Sequence, residues 1–406
     1  MAGSLGLAAY RALVRRSETP TSEAHPPRPE GEVLWIHAGE PGNILAVQDL
    51  AARLIRTRPG LQVLITYPPE ATPPTLTRAD LPLTLTPAPS EHENSIASFL
   101  KHWRPGAAIW VWGGLRPGLI LAAAAHCPMF LVDADQAGFS RRRDRWLPDM
   151  TQTILNQFTR ATARNAAGQT RLEQMGMERD RLLPAGPLLA GGEALPCVDS
   201  DLTELSAALA GRPVWFATQV QGEEVPVIIR AHASAIRMSH RLLLILQLAR
   251  PDEVEPAYES TAAEFNVARW DDGEYPEDTT EVLISEDPQD RGLFFRTAPV
   301  SFLGSSLVPG SLGCDPCDAA ALGAAILYGP KVRHFLPSYT RLAAAGAARI
   351  VNDAEGLGTA VSRLIAPDQA ATMAHAGWDV ISRGAVLVDQ ISEMVQDALD
   401  QSMGAT

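Results

Sequence analysis

A repeated alternation of short apolar runs and longer amphipathic runs constrains the fold of this chain more than any other feature. The runs "EVLWIHA" (32–38) and "LQVLITY" (61–67) are apolar along most of their length, which is typical of buried strands. Between them, residues 47–55 carry their apolar side chains on one helical stripe. A strand, a helix and a strand in this order form a parallel, right-handed unit.

The alternation continues in two series, which are separated by the Gly- and Pro-bearing segment "AGGEALPC" (190–197). Further strands are predicted at 107–114, 128–135, 213–218, 241–248, 281–284, 299–307 and 324–330. Further helices are predicted at 119–125, 149–176, 225–238, 318–323, 338–346, 354–365 and 368–401. These series predict an α/β protein with two Rossmann-like, doubly wound domains. The ligand crevice is expected at the carboxyl ends of their strands and between them.

The predicted domain boundaries follow the two series. In this chain of 406 residues, residues 32–190 are the N-terminal domain and residues 198–385 the C-terminal domain. Residues 1–31 are predicted to be a basic amphipathic segment followed by a linker, and residues 386–406 a C-terminal helix or tail.

The N-terminal segment "MAGSLGLAAYRALVRRS" has an apolar stretch that is too short to span a bilayer. Arg11, Arg15 and Arg16 give it three positive charges and no negative one. The segment is interpreted either as an amphipathic helix on an anionic membrane surface or as a frayed terminus.

Charge and cysteine content exclude several classes of protein. The net charge is −13, and residues 251–290 alone hold fourteen acidic residues and one basic residue. This excludes a nucleic-acid-binding body, and the acidic segment is interpreted as a solvated loop or helix face. Cys314 and Cys317 form a C-x-x-C without a second Cys or His pair at zinc spacing, so no metal site is predicted. The remaining cysteines are isolated, which indicates a reducing compartment.

Three blocks carry a resemblance to a known family. "SLVP" (306–309) with "DPCDAAALGAAILYGP" (315–330) resembles the signature S-L-V-P, N-P-x-E-P-A-A-L-G-x-P-V-L-F-G-P of the bacterial 3-deoxy-D-manno-octulosonic acid (Kdo) transferases. "WIHAGEPGN" (35–43) is similar to that family's W-I-H-A-x-S-x-G-E, and "RPVWFATQVQGEE" (212–224) to its R-P-x-W-x-A-x-S-T-H-x-G-E-E. Because the blocks occur in the family's order, the chain is identified as a divergent member.

The resemblance implies a glycosyltransferase of the GT-B type. Such an enzyme moves Kdo from CMP-Kdo onto a lipid A precursor in lipopolysaccharide core biosynthesis, peripherally bound at the cytoplasmic face of the bacterial inner membrane. The N-terminal domain would take the lipid A precursor and the C-terminal domain the nucleotide sugar. CMP-Kdo is the donor substrate, and no cofactor is expected.

The resemblance also shows a lost catalytic group. The family's catalytic base is the Glu that ends the block W-I-H-A-x-S-x-G-E. Asn43 stands at this position here, and an amide has no carboxylate to accept a proton. Glu40, Asp133 and Asp135 are the candidate replacements. For Glu40 the alternative is a carboxylate favoured by a helix dipole, and for both aspartates it is capping and turn formation. Asn43 is expected to cap the helix.

On the acceptor side, other family residues are missing. "WGGLRPG" (112–118) lacks both carboxylates of the family's E-T-E-L-W-P-N, and "GPLL" (186–189) lacks the Lys of its G-N-L-K. Arg141, Arg142 and Arg143 are interpreted either as a grip on lipid A phosphates or as a solvated basic loop.

The donor side keeps more of the family pattern. The residues expected to bind the nucleotide sugar are Thr218, Gly222, Glu223, Ser305, Ser306, Asp315 and Asp318. The turn after Thr218 would offer a hydroxyl and backbone N–H groups to a phosphate. Asp315 and Asp318 stand where the family has Asn and the ribose-side Glu.

Three hypotheses follow. The chain is an active Kdo transferase with a replacement base, a glycosyltransferase with a changed donor or acceptor, or a disarmed paralogue that binds nucleotide or a partner enzyme.

Overall fold

A computed structural model describes Tyr10 and residues 25–40, 44–76, 81–135, 148–189 and 195–404. The chain divides into two units. The first unit comprises residues 1–190 and 383–406, and the second unit comprises residues 191–382.

The first unit is built on a parallel sheet of six strands in the order β3-β2-β1-β4-β5-β6. Its strands are β1 (Val33–Ala38), β2 (Gln62–Tyr67), β3 (Leu83–Pro87), β4 (Ala107–Val111), β5 (Met129–Ala134) and β6 (Arg160–Ala163). Its helices are α1 (Ile44–Thr57), α2 (Glu93–Trp103), α3 (Pro117–Ala124), α4 (Pro148–Leu155) and α5 (Ala166–Gln174). This strand order is that of a Rossmann fold.

The second unit is built on a parallel sheet of seven strands in the order β13-β12-β11-β7-β8-β10-β9. Its strands are β7 (Val214–Val220), β8 (Leu243–Leu248), β9 (Val267–Arg269), β10 (Val282–Ser285), β11 (Val300–Leu303), β12 (Ala325–Tyr328) and β13 (Ala348–Ile350). Its helices are α6 (Asp199–Leu209), α7 (Val225–Ile236), α8 (Val254–Ala262), α9 (Arg291–Thr297), α10 (Cys317–Ala321), α11 (Leu336–Ala344) and α12 (Ala354–Leu364). Without the edge strand β9, the order matches that of the first sheet, so the expected pair of Rossmann-like domains is confirmed.

The central strands explain the apolar runs of the sequence. Every residue of β1, β4, β5 and β8 is buried. A parallel sheet covered by helices on both faces has no solvent side, so its strands are apolar on both faces. The large aromatic side chains Trp35, Trp103 and Trp110 fill the first core, and Trp215 fills the second.

The final helix, α13 (Pro367–Gly404), belongs to both units, because the division falls before Arg383. In the first unit, Arg58 Nη1 on the loop after α1 lies 2.7 Å from Asp400 Oδ1, and Gln396 Nε2 donates to Thr57 Oγ1 at 2.8 Å. The buried apolar side chains Leu387, Val388, Ile391, Val395 and Leu399 follow this part of the helix. Residues 383–404 therefore complete the first unit.

One predicted element is wrong. The single helix expected at 149–176 is two helices, α4 and α5, with strand β6 between them. This strand has only four residues, "RATA", and its small side chains give no apolar run. Among the helices that the structure describes, none is both long and apolar enough to cross a membrane.

Candidate functional site

Two glycines bring the first unit's turns together where its strand order reverses. β1 and β4 are neighbours, and the segments that follow them begin with Gly39 and Trp112-Gly113. The Gly39 N–H donates to the Val111 carbonyl at 3.2 Å. A Cβ on Gly39 would lie 2.7 Å from Gly113 Cα, and one on Gly113 would lie 2.4 Å from Gly39 Cα. Both positions therefore require glycine, at the place where open α/β sheets bind ligands.

The three candidate carboxylates of the first unit converge on one guanidinium, that of Arg164. Arg164 follows β6, and its Nη2 and Nε lie 2.6 and 3.1 Å from Asp133 Oδ2. Its Nη1 donates to Asp135 Oδ2 at 2.9 Å, and its Nη2 lies 3.7 Å from Glu40 Oε2. The hydrogen bond to Asp133 and the nearby negative charges raise the pKa of Arg164 against the effect of its burial. The sequence prediction that these carboxylates occupy one edge of the sheet agrees with this cluster.

Asp133 is the most constrained member of the Arg164 cluster. Its backbone has φ +59, at a register irregularity between β5 and β6. Its N–H donates to Thr162 Oγ1 at 3.1 Å, and its Oδ1 accepts from the Leu188 N–H at 3.1 Å. With Oδ2 paired to Arg164 and only 1% of the residue exposed, Asp133 shapes the turn and holds the segment around Leu188. This position agrees with the alternative reading of Asp133 as a turn former.

Glu40 and Asp135 are more accessible. The Glu40 side chain is 41% exposed, and the Asp135 side chain is 27% exposed. Asn43 and the acceptor candidates Arg141, Arg142 and Arg143 lie outside the described residues. Their predicted roles stay predictions.

His37, near the end of β1, is held inside the first core. Its Nδ1 lies 2.9 Å from Thr66 Oγ1, which also accepts from Trp35 Nε1 at 2.8 Å. Its ring packs on Trp110 with centroids 3.9 Å apart. Burial, with the charge of Arg116, lowers the pKa of His37 to about 3, so the ring is neutral at physiological pH. These contacts give His37 a structural role in the first core.

In the second unit, Glu224 organises the carboxyl edge. Its Oε1 accepts from the N–H groups of Ser306 and Leu307 at 2.9 and 2.8 Å. Its Oε2 accepts from those of Gln221 and Ser305 at 3.0 and 2.7 Å. This buried carboxylate, 1% exposed, therefore joins the turn after β7 to the loop after β11. A carboxylate saturated by four backbone donors is a structural anchor.

Two residues expected to bind the nucleotide sugar face the protein instead. Thr218 is buried, and its Oγ1 donates to Gln247 Oε1 at 2.8 Å. Ser306 is also buried, and its Oγ donates to the Leu303 carbonyl at 2.6 Å and accepts from the Gly329 N–H at 2.8 Å. Their hydroxyls link neighbouring strands, so the expectation that these side chains contact the nucleotide sugar does not fit their positions.

The other donor candidates stay nearer the surface. The Gly222 N–H donates to Glu253 Oε2 at 2.9 Å, and Glu223 is exposed. Ser305 is partly buried, has φ +51 and donates from Oγ to the Gln219 carbonyl at 2.9 Å. These hydrogen bonds fix the backbone of the turn, and the Gly222 N–H is already bonded to the Glu253 carboxylate.

Asp315 and Asp318 lie at the start of the short helix α10. Asp315 Oδ1 accepts from the Cys317 N–H at 2.9 Å, and burial raises the pKa of this carboxyl. Asp318 is partly buried in the first turn. Burial raises the pKa of the Cys314 thiol to about 12, and Cys314 and Cys317 are both free. No group of three His, Cys, Asp or Glu that could hold a metal ion occurs in the described part of the chain.

Sequence reasoning missed Arg164 and the anchoring role of Glu224. The sequence does not reveal the position of Arg164 at a strand end, because β6 falls within the predicted helix at 149–176. Glu224 stood in a matching block, but its partners Ser305, Ser306 and Leu307 are more than eighty residues away.

Two Rossmann-like units with polar side chains at the carboxyl ends of their strands place the protein among the two-domain α/β proteins. Residues 11–188 match the family described as 3-deoxy-D-manno-octulosonic-acid transferase (kdotransferase). Over this segment the chain is similar to the family, with the low identities of a divergent sequence.

Relatives that carry the name 3-deoxy-D-manno-octulosonic acid transferase align over most of the chain. The protein of Rickettsia bellii is 23% identical over 301 residues, which cover 73% of this chain and 71% of the relative. The protein of Bordetella pertussis is 26% identical over 397 residues, which cover 94% of this chain and 90% of the relative. Among solved structures, the C-terminal CMP-Kdo binding domain of a protein from Acinetobacter baumannii shows low similarity, with a TM-score of 0.42 and 18% identity over 45% of this chain and 99% of that one.

Proposed function

We propose that this protein is a glycosyltransferase of the GT-B type that transfers Kdo from CMP-Kdo to a lipid A precursor in lipopolysaccharide core biosynthesis. The observation that carries the proposal is the convergence of Glu40, Asp133 and Asp135 on Arg164 at the carboxyl edge of the first sheet. This edge lies within residues 11–188, which match the Kdo transferase family. The relatives that share the family name support the choice of sugar.

The reaction needs a proton acceptor on the lipid A side. A hydroxyl oxygen of the acceptor forms a bond to the anomeric carbon of Kdo, and the bond from that carbon to the phosphate oxygen breaks. CMP leaves with the electron pair, and the hydroxyl proton goes to a general base. Asn43 cannot take this proton, so its role is to orient or cap.

Glu40 is the best placed of the three carboxylates to act as this base. Asp133 is buried, and its two oxygens accept from Leu188 and Arg164. Asp135 is hydrogen-bonded to Arg164 at 2.9 Å. Glu40 lies 3.7 Å from the guanidinium and is the most exposed of the three. Its carboxylate is thus oriented while it remains accessible to a hydroxyl.

The second unit takes the nucleotide in this proposal. Glu224 holds the two loops at its carboxyl edge, and Asp318 lies in the first turn of α10, within the block that resembles the family's ribose-side signature. CMP is titrated by calorimetry into the wild type, Asp318→Ala and the control Asp278→Ala, whose side chain is 89% exposed. Weaker binding to Asp318→Ala alone supports the assignment, whereas equal binding to all three proteins removes Asp318 from the site.

The N-terminal segment gives the protein a peripheral position at the inner membrane in this proposal. Three arginines near an anionic surface contribute about 3 kcal/mol together at low salt, and this attraction is reversible and screened by salt. Sedimentation with anionic vesicles at low and high salt tests it. If the amount of protein that sediments with the vesicles changes neither with salt nor on deletion of residues 1–17, the proposal is contradicted.

Transfer of labelled Kdo from CMP-Kdo to a lipid A precursor tests the function itself. Glu40→Gln is expected to lower kcat by about 10²–10⁴-fold, because a positioned base contributes that much. The control Glu173→Gln removes a partly buried carboxylate that pairs with the exposed Arg179, and it is expected to leave the rate unchanged.

Two results would replace this proposal. An inert wild type with an active Asn43→Glu variant would identify a disarmed paralogue whose scaffold is intact. A wild type that binds nucleotide but transfers no Kdo in any variant would show that donor or acceptor has changed.

A further inference from the structure

We infer that Arg164 is a positioning residue for Glu40, held in place by Asp133 and Asp135. The inference rests on the proposed role of Glu40 as the general base. It assigns to Arg164 a task that its sequence position did not suggest: to fix the direction of a carboxylate without taking up that carboxylate's oxygens.

The anchor of this arrangement is Asp133. Its side chain is 2% exposed and its backbone has φ +59. Its N–H donates to Thr162 Oγ1, and its Oδ1 accepts from the Leu188 N–H. The remaining oxygen, Oδ2, receives two hydrogen bonds from Arg164. A rigid acceptor of this kind sets the plane of the guanidinium.

Asp135 fixes the same guanidinium at a further nitrogen. Arg164 uses Nε and Nη2 toward Asp133 and Nη1 toward Asp135 at 2.9 Å. The planar fork of Arg suits two such partners at once, whereas the ammonium of Lys does not. Because both aspartates lie closer to Arg164 than Glu40 does, its positive charge is already balanced when Glu40 meets it.

Arg164 therefore orients the Glu40 carboxylate without forming a hydrogen bond to it. Its Oε2 is 3.7 Å from Arg164 Nη2, which is ion-pair distance but beyond a hydrogen bond. If Arg164 were free to move to Glu40, it would occupy the oxygens that must accept the acceptor's proton. Asp135 prevents this movement in the inferred arrangement, and loss of Asp135 should impair Glu40 indirectly.

Asp135→Asn, Arg164→Lys and Glu40→Gln, singly and in pairs, test the inference by Kdo transfer kinetics. Asp135→Asn and Arg164→Lys are each expected to lower kcat by about 10-fold or more with KM unchanged. In the Glu40→Gln background, either change is expected to alter kcat by less than about 2-fold, because both act through Glu40. Effects that multiply with that of Glu40→Gln would overturn the inference.

A readout that needs no activity separates this inference from the proposed function. The Nε–H resonance of Arg164, assigned by loss in Arg164→Lys, is expected to shift in both Glu40→Gln and Asp135→Asn. The pair of Glu173 and Arg179 is the matched control, since Glu173→Gln should move the resonance of Arg179 and not that of Arg164. If wild type transfers no Kdo but Arg164 still shifts, the proposed function fails and the coupling stands. If the chemical shift of the Arg164 Nε–H is the same in the wild type and in both variants, the inference is overturned, whether or not Kdo is transferred.

Discussion

The substitution Glu224→Gln tests how the second unit shapes its carboxyl edge. Each Glu224 oxygen accepts two backbone N–H groups, so the carboxylate satisfies four donors from two loops. A glutamine keeps one carbonyl oxygen and can satisfy two of them. Its NH₂ group faces the other two N–H groups as a third donor, and no water reaches this buried position freely.

The magnitude follows from the two lost bonds. A hydrogen bond to a charged group contributes about 1.5–3 kcal/mol, so their loss is expected to lower the free energy of unfolding by about 3–6 kcal/mol. That is a large part of the roughly 5–15 kcal/mol that stabilises an ordinary domain. Glu223→Gln is the matched control, because Glu223 is the exposed neighbour, and it should change stability by no more than about 0.5 kcal/mol.

Urea unfolding followed by circular dichroism measures the two free energies on the full chain. Hydrogen exchange read by mass spectrometry locates the change, which is expected at residues 303–307 and in the turn after β7. If Glu224→Gln stays within about 1 kcal/mol of Glu223→Gln, the four bonds do not carry the stability assigned to them. Faster exchange in the first unit alone would also refute the reasoning.

Three further predictions concern other fixed points. Gly39→Ala places a Cβ 2.7 Å from the backbone of Gly113 and should lower the melting temperature by several degrees. In the control Gly186→Ala the nearest contact is 3.6 Å away, so the melting temperature should not fall. Equal shifts in the two variants would contradict the close approach of Gly39 to Gly113. Since burial lowers the pKa of His37 from 6.5 to about 3, the unfolded chain binds a proton there first, and stability falls as pH drops from 6.5 toward 3. His37→Gln should reduce that slope by up to about 1.4 kcal/mol per pH unit in urea titrations, and an effect equal to that of exposed His240→Gln would refute the assignment. Arg212→Lys should cost about 3 kcal/mol by urea unfolding, because Arg212 donates to three backbone carbonyls at 2.7–3.0 Å and a lysine cannot reach all of them; a loss below about 1 kcal/mol would show that these bonds are replaceable.

The interior of the fold could be predicted from the sequence, and its edges could not. Central strands such as β1 and β8 are apolar on both faces, so their residues form continuous runs. The edge strands β3 and β13 and the short β6 lack such runs, because they are partly exposed or built from small side chains. Their existence depends on neighbours that are distant in sequence.

The candidate site shows the same division. Glu40, Asp133 and Asp135 could be named in advance, because each lies at or just after the end of a recognisable strand in a parallel sheet. The partner that joins them, Arg164, could not, since the strand before it, β6, has only four residues and no apolar run. Thr218 aligns with a Ser of the family block, yet its hydroxyl donates to Gln247, and an aligned sequence does not report where a side chain points.

The helix α13 has a consequence for synthesis. A ribosome makes residues 191–382, the whole second unit, before it makes the segment 383–404 that completes the first unit. At roughly 5–20 residues per second, the first unit waits about 10–40 s with the surface for Leu387, Ile391 and Val395 uncovered. The first unit, which is synthesised first, is thus completed last. A stop codon near residue 382 would leave the first unit incomplete and exposed to chaperones and proteases, although most of that unit had been translated correctly.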